Sequence, residues 1–208
     1  IGKEYLAGYS NIQWVHQDIL KLNLPEYVLR YPNKKFKIAA NLPYYITTPI
    51  LMRFLEEKFP YERIVITIQK EVADRIIAKP GTSDYGVLSL MVQYRCQTKL
   101  IKKISKTCFF PVPDVDSAIL RLMPHTHPPV SVQNEELFFA LIRGAFNQRR
   151  KTLLNALDAI ADKTHLTREH LYGILKEVNL SPGIRGERLS MDDFANLSNV
   201  LNRYQELH

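Results

Sequence analysis

The sequence predicts an α/β domain over residues 1–123 followed by a small all-α domain over residues 124–208. Three observations predict this. Short apolar, β-branched runs alternate with amphipathic stretches as far as Leu122. A polar, proline-bearing linker follows, from Pro124 to Pro129. Beyond it every pattern is helical, which separates an alternating α/β half from an all-helical one.

The elements follow in order. Asn11–His16 and Phe36–Ala40 read as short strands, closed by Asp18 and Asn41. Thr48-Pro49 is expected to open a helix, with threonine capping and proline at the first helical position. Ile50, Leu51, Phe54 and Leu55 give that helix an apolar face. Ile64–Ile68 is a buried-strand run and Glu71–Ala78 an amphipathic helix. Pro80–Ser83 is a loop and Val87–Tyr94 a helix. Lys99–Ser105 and Ala118–Leu122 read as two late strands, expected to be antiparallel. In the second half Asn134 caps a helix over Glu135–Ala145, and others run over Lys151–Ile160 and Arg168–Val178. Ser190 and Asp193 form a capping box for Met191–Tyr204.

Strands separated by helices imply a parallel sheet, and such sheets bind ligands at the carboxyl ends of their strands. Asp18 and Asn41 each stand just past a strand end, so both are site candidates on position alone.

Hydrophobic residues make up 46% of the 208, enough for a packed core and against disorder. No apolar stretch reaches the length that spans a bilayer. The two cysteines, Cys96 and Cys108, have neither CxxC spacing nor histidine neighbours. A metal site and a disulfide scaffold are therefore not expected, and the two are read as half-buried thiols. The net charge is +7, and residues 1–122 hold all of the excess, with 18 Lys/Arg against 11 Asp/Glu. Lys99, Lys102, Lys103 and Lys106 are part of it. A one-sided positive field suits a polyanion such as nucleic acid, and equally a merely soluble basic domain.

The sharpest local signal is Asn41-Leu42-Pro43-Tyr44, between a strand and a helix. Four turn-forming residues alone could be an ordinary connection. Methylation of an exocyclic adenine amine, however, uses each of them. That amine is a poor nucleophile because its lone pair is delocalised into the ring. Two acceptors on its hydrogens hold it and favour a tetrahedral nitrogen, and the Asn41 side chain and Leu42 carbonyl can supply them. Pro43 fixes the backbone so that both point the same way. Tyr44 offers a ring on which an extruded base can stack. Rate would then come mainly from proximity and orientation.

The run Asn41–Pro49 resembles the methyltransferase motif of the KsgA-type ribosomal RNA adenine-N6 dimethyltransferases. The resemblance continues through Gln69–Val72, Tyr85–Ser89, Phe109–Ala118, Ala145–Thr152 and Arg185–Ser190, six motifs in order over nearly the whole chain. It implies a Rossmann-like class I methyltransferase domain with a small helical rRNA-binding domain after it, and no metal. The implied donor is S-adenosyl-L-methionine. The implied reaction is dimethylation of two adjacent adenosines in the 3′-terminal hairpin of small-subunit rRNA, with the small ribosomal subunit or its precursor as partner. A monomer is expected, and a cytoplasmic one, with an organellar location left open.

By matching position, Asp18 and Ile19 hold the donor's adenine, and Asn41 also lies near its methionine part. Asn41, Leu42, Pro43 and Tyr44 match the target-adenine site, and Phe109 matches an aromatic closing on the base from the other side. Phe109 alone would also suit a core position beside Phe110, and Asp18 alone a helix cap. Arg149-Arg150-Lys151, at an expected helix start, is a candidate phosphate clamp for rRNA or a solvated basic face. Arg185 and Arg188 bracket Glu187 and are read as its ion-pair partners.

The family also carries a glycine-rich loop after its first strand and an acidic residue after its second. Neither stands in this sequence, which is expected to begin after both, so a chain starting at Ile1 is expected to bind the donor weakly or not at all. Three other functions compete. A resistance-type enzyme acting on large-subunit rRNA shares Asn-Leu-Pro-Tyr but fits Asn147–Thr152 and Arg185–Ser190 less well. A DNA adenine methyltransferase would more often carry Pro-Pro-Tyr and needs a DNA-recognition domain. A non-catalytic assembly factor would not need an intact Asn41–Tyr44.

Overall fold

The structure, a computed structural model, describes residues 2–6, 8–57, 60–147, 151–161 and 166–207. Its centre is a four-stranded sheet of β1 (Phe36–Asn41), β2 (Tyr61–Gln69), β3 (Cys96–Ile104) and β4 (Ser117–Pro124), in the order β1-β2-β4-β3. β1 and β2 are parallel, ending at Asn41 opposite Thr67. β4 is antiparallel to both β2 and β3. The expected α/β class with a helical second half is what the chain adopts, and the late strands are antiparallel as expected. Composition decides which of them is inside. β4 carries Ala118, Leu120 and Leu122, all buried, while β3 carries Lys99, Lys102 and Lys103, exposed. The lysine-rich strand takes the edge, where unpaired charge is tolerated and discourages sheet-to-sheet pairing.

Asn11–His16 departs from expectation. It forms no strand, and Ile12, Trp14 and Val15 are exposed. β-branched composition favours extended backbone but does not provide a partner, and among the described residues β1 pairs only with β2. Two short helices were not expected: α1 (Gly2–Leu6) and α2 (Leu24–Arg30). The signal for α2 was present, since Asn23 accepts from the Glu26 N–H and Pro25 sits in the first turn.

Helix α3 (Thr47–Glu56) starts one residue before Thr48, directly out of a 3-10 turn over Tyr44–Ile46. Thr48 is therefore not the cap; Ile46 stands there, without a side-chain bond. Pro49 becomes the third helical residue, still within the turn whose N–H groups lack helical partners. α4 (Lys70–Ile77) and α5 (Val87–Arg95) follow. The helical half contains α6 (Glu135–Asn147), α7 (Leu153–Ala161), α8 (Arg168–Glu177) and α9 (Met191–Leu207). Both expected caps are there: Asn134 accepts from Leu137 N–H at 3.0 Å, and Ser190 and Asp193 exchange bonds of 3.1 and 2.8 Å.

Two apolar cores result. One joins β1, β2, β4 and α3 around Ile64, Ile66, Ile68 and Leu51. The other joins α6–α9 around Phe138, Ile142, Ile174 and Phe194. α5 belongs to both: Leu88 and Val92 enter the sheet core, while Leu90, Met91 and Tyr94 enter the helical one. A helix apolar on all sides is one buried on all sides.

Three of the quoted motifs meet along this seam. The Tyr85 hydroxyl donates to the Leu189 carbonyl at 3.0 Å, and Gly81 N–H donates to the Glu187 carbonyl at 2.8 Å. The Tyr85 ring stands edge-on to Phe146 at 5.8 Å. Burial holds the Tyr85 phenol well above its usual range, so it stays a neutral donor. The Tyr94 phenol, pushed up to about 12 by burial and its bond to Glu135, stays neutral too. The two thiols are unalike rather than both half-buried. Cys96 is buried, and burial raises its thiol above the usual range although the nearby Tyr61 hydroxyl pulls the other way, while Cys108 is exposed.

Candidate active site

The end of β1 is built by backbone rules. After Asn41, Leu42 continues the strand far enough for its N–H to reach the Thr67 carbonyl at 3.1 Å, and its side chain is buried. Pro43 then turns the chain, with φ −59° and ψ 132°. Its carbonyl accepts from Ile46 N–H at 3.3 Å and from the Thr47 hydroxyl at 3.0 Å. Thr47 is buried, so this bond is sheltered from water and holds the turn against α3. The Asn41 side chain is left exposed at the strand end.

Tyr44 is half-buried, and its hydroxyl lies 2.7 Å from Ser117 Oγ, at the buried start of β4. The loop between β3 and β4 approaches from the other side. Ser105 opens a short 3-10 turn over Lys106–Cys108, and Phe109 N–H closes on the Lys106 carbonyl at 3.2 Å. Asp116 braces the loop by accepting from Lys106 N–H at 3.0 Å. Asn41–Tyr44 and Phe109–Pro111, with Pro113, line a cleft of about 350 Å³. Residues 41–44 and 109, far apart in sequence, are thus brought together.

Among the described residues no ionised group lines this cleft. A cationic sulfonium would meet amide dipoles and aromatic faces there, which attract it without neutralising it. The donor set therefore fits S-adenosylmethionine opposite a flat amine. A larger cavity, about 530 Å³, lies beside Lys70, Asp74, Lys106 and Asp116. Its carboxylates would repel an RNA phosphate and no aromatic lines it, so size is a poor guide here. The Asp74 carboxylate, paired with Lys70, raises that ammonium above its usual range.

Asp18 and Ile19 are not among the cleft's lining residues. Asp18 is exposed, and its carboxylate accepts from Leu20 N–H at 2.9 Å, closing its own turn. The Ile19 and Leu22 carbonyls both accept from the Arg53 guanidinium, which fastens this turn to α3. Arg149 and Arg150 lie outside the described residues. Lys151 is exposed and stands two residues before α7, not in its first turn as expected.

The family model described as ribosomal RNA adenine dimethylase matches residues 2–202. The chain belongs to that family. Among curated relatives, the family resemblance is 44% identity with ribosomal RNA small subunit methyltransferase A of Geobacillus thermodenitrificans, over 94% of this chain and 68% of that protein. The protein of the same name from Clostridioides difficile is 46% identical over 96% of this chain and 68% of its own length. In solved structures the dimethylase fold is matched by a dimethyladenosine transferase from Plasmodium falciparum, with TM-score 0.77 and 23% identity over 94% of this chain and 74% of that one. The 23S rRNA methyltransferase ErmE matches with TM-score 0.66 and 24% identity, over 96% and 76% of the two chains.

Two residues at the site of this dimethylase-family chain carry no signal of their own in the sequence. Ser117 lies behind the cleft, fully buried, and nothing in its neighbourhood links it to Tyr44. Phe110, beside Phe109, lines the cleft and is fully exposed. Among the described residues no group of three or more His, Cys, Asp or Glu is arranged to hold a metal ion, and no helix is long and apolar enough to cross a membrane.

Proposed function

We propose that this chain carries the target-base site of an S-adenosylmethionine-dependent rRNA adenine-N6 dimethyltransferase that modifies two adjacent adenosines in the 3′-terminal hairpin of small-subunit rRNA. The single observation that carries this is the meeting of Asn41–Tyr44 with Phe109 in one uncharged cleft at the end of a parallel strand. Family membership and the names of the relatives support the same reaction.

The donor, when bound, supplies the electrophilic methyl group. The chain's residues do the positioning. Asn41 Oδ1 and the Leu42 carbonyl accept the two amine hydrogens, which localises the nitrogen lone pair toward the incoming methyl. The Leu42 N–H is tied to Thr67 and Pro43 has a fixed φ, so the two acceptors are oriented before the base arrives. Tyr44, held through Ser117, stacks on one face of the base and Phe109 on the other. After transfer the nitrogen's extra proton is strongly acidic, and it leaves to water because no ionised group lines the cleft among the described residues. Asp18 and Ile19 would hold the donor's adenine. Arg149, Arg150 and Lys151 would clamp rRNA phosphates. A monomeric, cytoplasmic enzyme acting on the small subunit or its precursor belongs to the same proposal, as does the division into a methyltransferase domain and a helical rRNA-binding domain.

Radiolabelled methyl incorporation into purified small-subunit and large-subunit rRNA tests it. Label in adjacent dimethylated adenosines of the small-subunit hairpin is expected from a polypeptide in which the family's glycine-rich loop precedes this chain. Label in large-subunit rRNA would mark a resistance-type enzyme, and rRNA binding without label an assembly factor.

A further inference from the structure

Phe110 is an anomaly at the edge of the cleft. It is 100% exposed, a whole aromatic ring given to water, and none of the ring pairs among the described residues includes it. A surface aromatic with no packing role is unremarkable when scattered, but this one lines the same cleft as Asn41 and Tyr44.

Local backbone explains the exposure. Phe109 is extended, with φ −114° and ψ 151°. Consecutive side chains on extended backbone project to opposite sides, so Phe109 is half-buried and Phe110 faces outward. One base therefore cannot lie against both rings. The loop beneath is braced by Cys108 N–H to Ser105, Phe109 N–H to Lys106 and Lys106 N–H to Asp116, at 3.0, 3.2 and 3.0 Å. With the preceding backbone braced, mainly the two torsions of the ring remain to be ordered when something stacks on it. The strand feeding the loop carries Lys99, Lys102 and Lys103, all exposed, and no ion pair of theirs occurs among the described residues. Their charge favours a polyanion over an acidic-phosphate-free apolar partner.

Building on the proposed function, we infer that Phe110 is the shelf for the nucleobase next to the target adenosine, so that it positions the strand while the target itself lies between Tyr44 and Phe109. Base–aromatic stacking is sequence-tolerant, which suits a residue that must hold either neighbour as two adjacent adenosines enter in turn. Phe110 is a positioning residue; it touches no reacting atom.

The test uses a polypeptide in which the family's glycine-rich loop precedes this chain, and the small-subunit hairpin RNA, intact or abasic at the nucleotides flanking the target. Phe110→Ala should raise KM for the intact hairpin about tenfold, the order expected of one lost stacked base, with kcat and Tm unchanged. Phe110→Trp should restore it. On the abasic hairpin, wild type and Phe110→Ala should behave alike. A separate optical arm needs no turnover: in a Trp14→Phe background, the emission of Phe110→Trp should be quenched by the intact hairpin and much less by the abasic one. Unchanged KM in Phe110→Ala, an equal penalty on the abasic hairpin, or absent quenching each overturns the shelf. A wild-type chain that methylates no small-subunit rRNA would instead overturn the function it rests on, and quenching by RNA would still decide whether Phe110 stacks on a base.

Discussion

The hydroxyls of Tyr44 and Ser117 lie 2.7 Å apart, tying the turn after β1 to the first residue of β4 across 73 positions of sequence. Because Ser117 is fully buried, the bond is made away from water and fixes the plane of the Tyr44 ring.

Tyr44→Phe should consequently be measurably impaired, though less than Tyr44→Ala. The phenylalanine keeps the stacking face but leaves the Ser117 hydroxyl unpaired, at about 1–3 kcal/mol. The alanine also loses base stacking, about a further 1–3 kcal/mol. Adding Ser117→Ala to Tyr44→Phe should recover part of the first loss in a double-mutant cycle on kcat/KM. Equal losses for Phe and Ala would assign the hydroxyl, not the ring, the main role.

Asn41→Ala should suppress methyl transfer on the order of a hundredfold or more, the usual effect of deleting one oriented hydrogen-bonding group. RNA affinity of the full-length parent should hardly change, since under the proposed function Asn41 would orient one amine and contact little else. Single-turnover rates within a few-fold of wild type would remove Asn41 from the mechanism.

Charge reversal at Arg149, Arg150 and Lys151 together should weaken rRNA binding and flatten its salt dependence. Each lost phosphate contact lowers the log–log slope by roughly 0.9 on duplex nucleic acid. Chemistry on bound substrate should be unaffected. An identical slope in the triple variant would return the cluster to the solvent.

Gly186→Ala should destabilise the fold by about 1–3 kcal/mol, as overpacking does. A Cβ there would meet Ala145 Cβ at 2.8 Å and the Ala145 carbonyl oxygen at 3.0 Å, neither of which can swing away. Gly183→Ala is the control, with nothing nearer than Ser181 Oγ at 3.8 Å. Equal denaturation midpoints for the two variants would show that the seam yields.

How much of this was legible beforehand depended on distance along the chain. Asn41–Tyr44 was readable because a strand end, a fixed-φ proline and an aromatic lie within four positions. The caps at Asn134 and Ser190 were readable for the same reason. The approach of Phe109 came only through family resemblance, because no local pattern encodes a contact spanning 65 or more residues. The Tyr44–Ser117 bond was not legible at all. Nor was the insertion of β4 between β2 and β3, although the lysines of β3 mark it as the edge. Asn11–His16 misled because apolar, β-branched residues report a preference for extension and say nothing about a pairing partner. Conversely, Asn23 and Pro25 mark the start of α2, but its seven residues are too short for an apolar periodicity to define a helix.

The double burial of α5 turns the protein into a caliper. A helix that supplies side chains to two cores at once allows no cheap swivel, because rotating either half would open apolar surface on the other. The offset between the cleft and the helical half is then preset, and under the proposed function an RNA hairpin that touches both would be accepted only when its own span agrees with it. Lengthening the stem by a few base pairs should abolish methylation while leaving single-stranded affinity intact. Uniform tolerance of stem length would show that the jaws of the caliper slide.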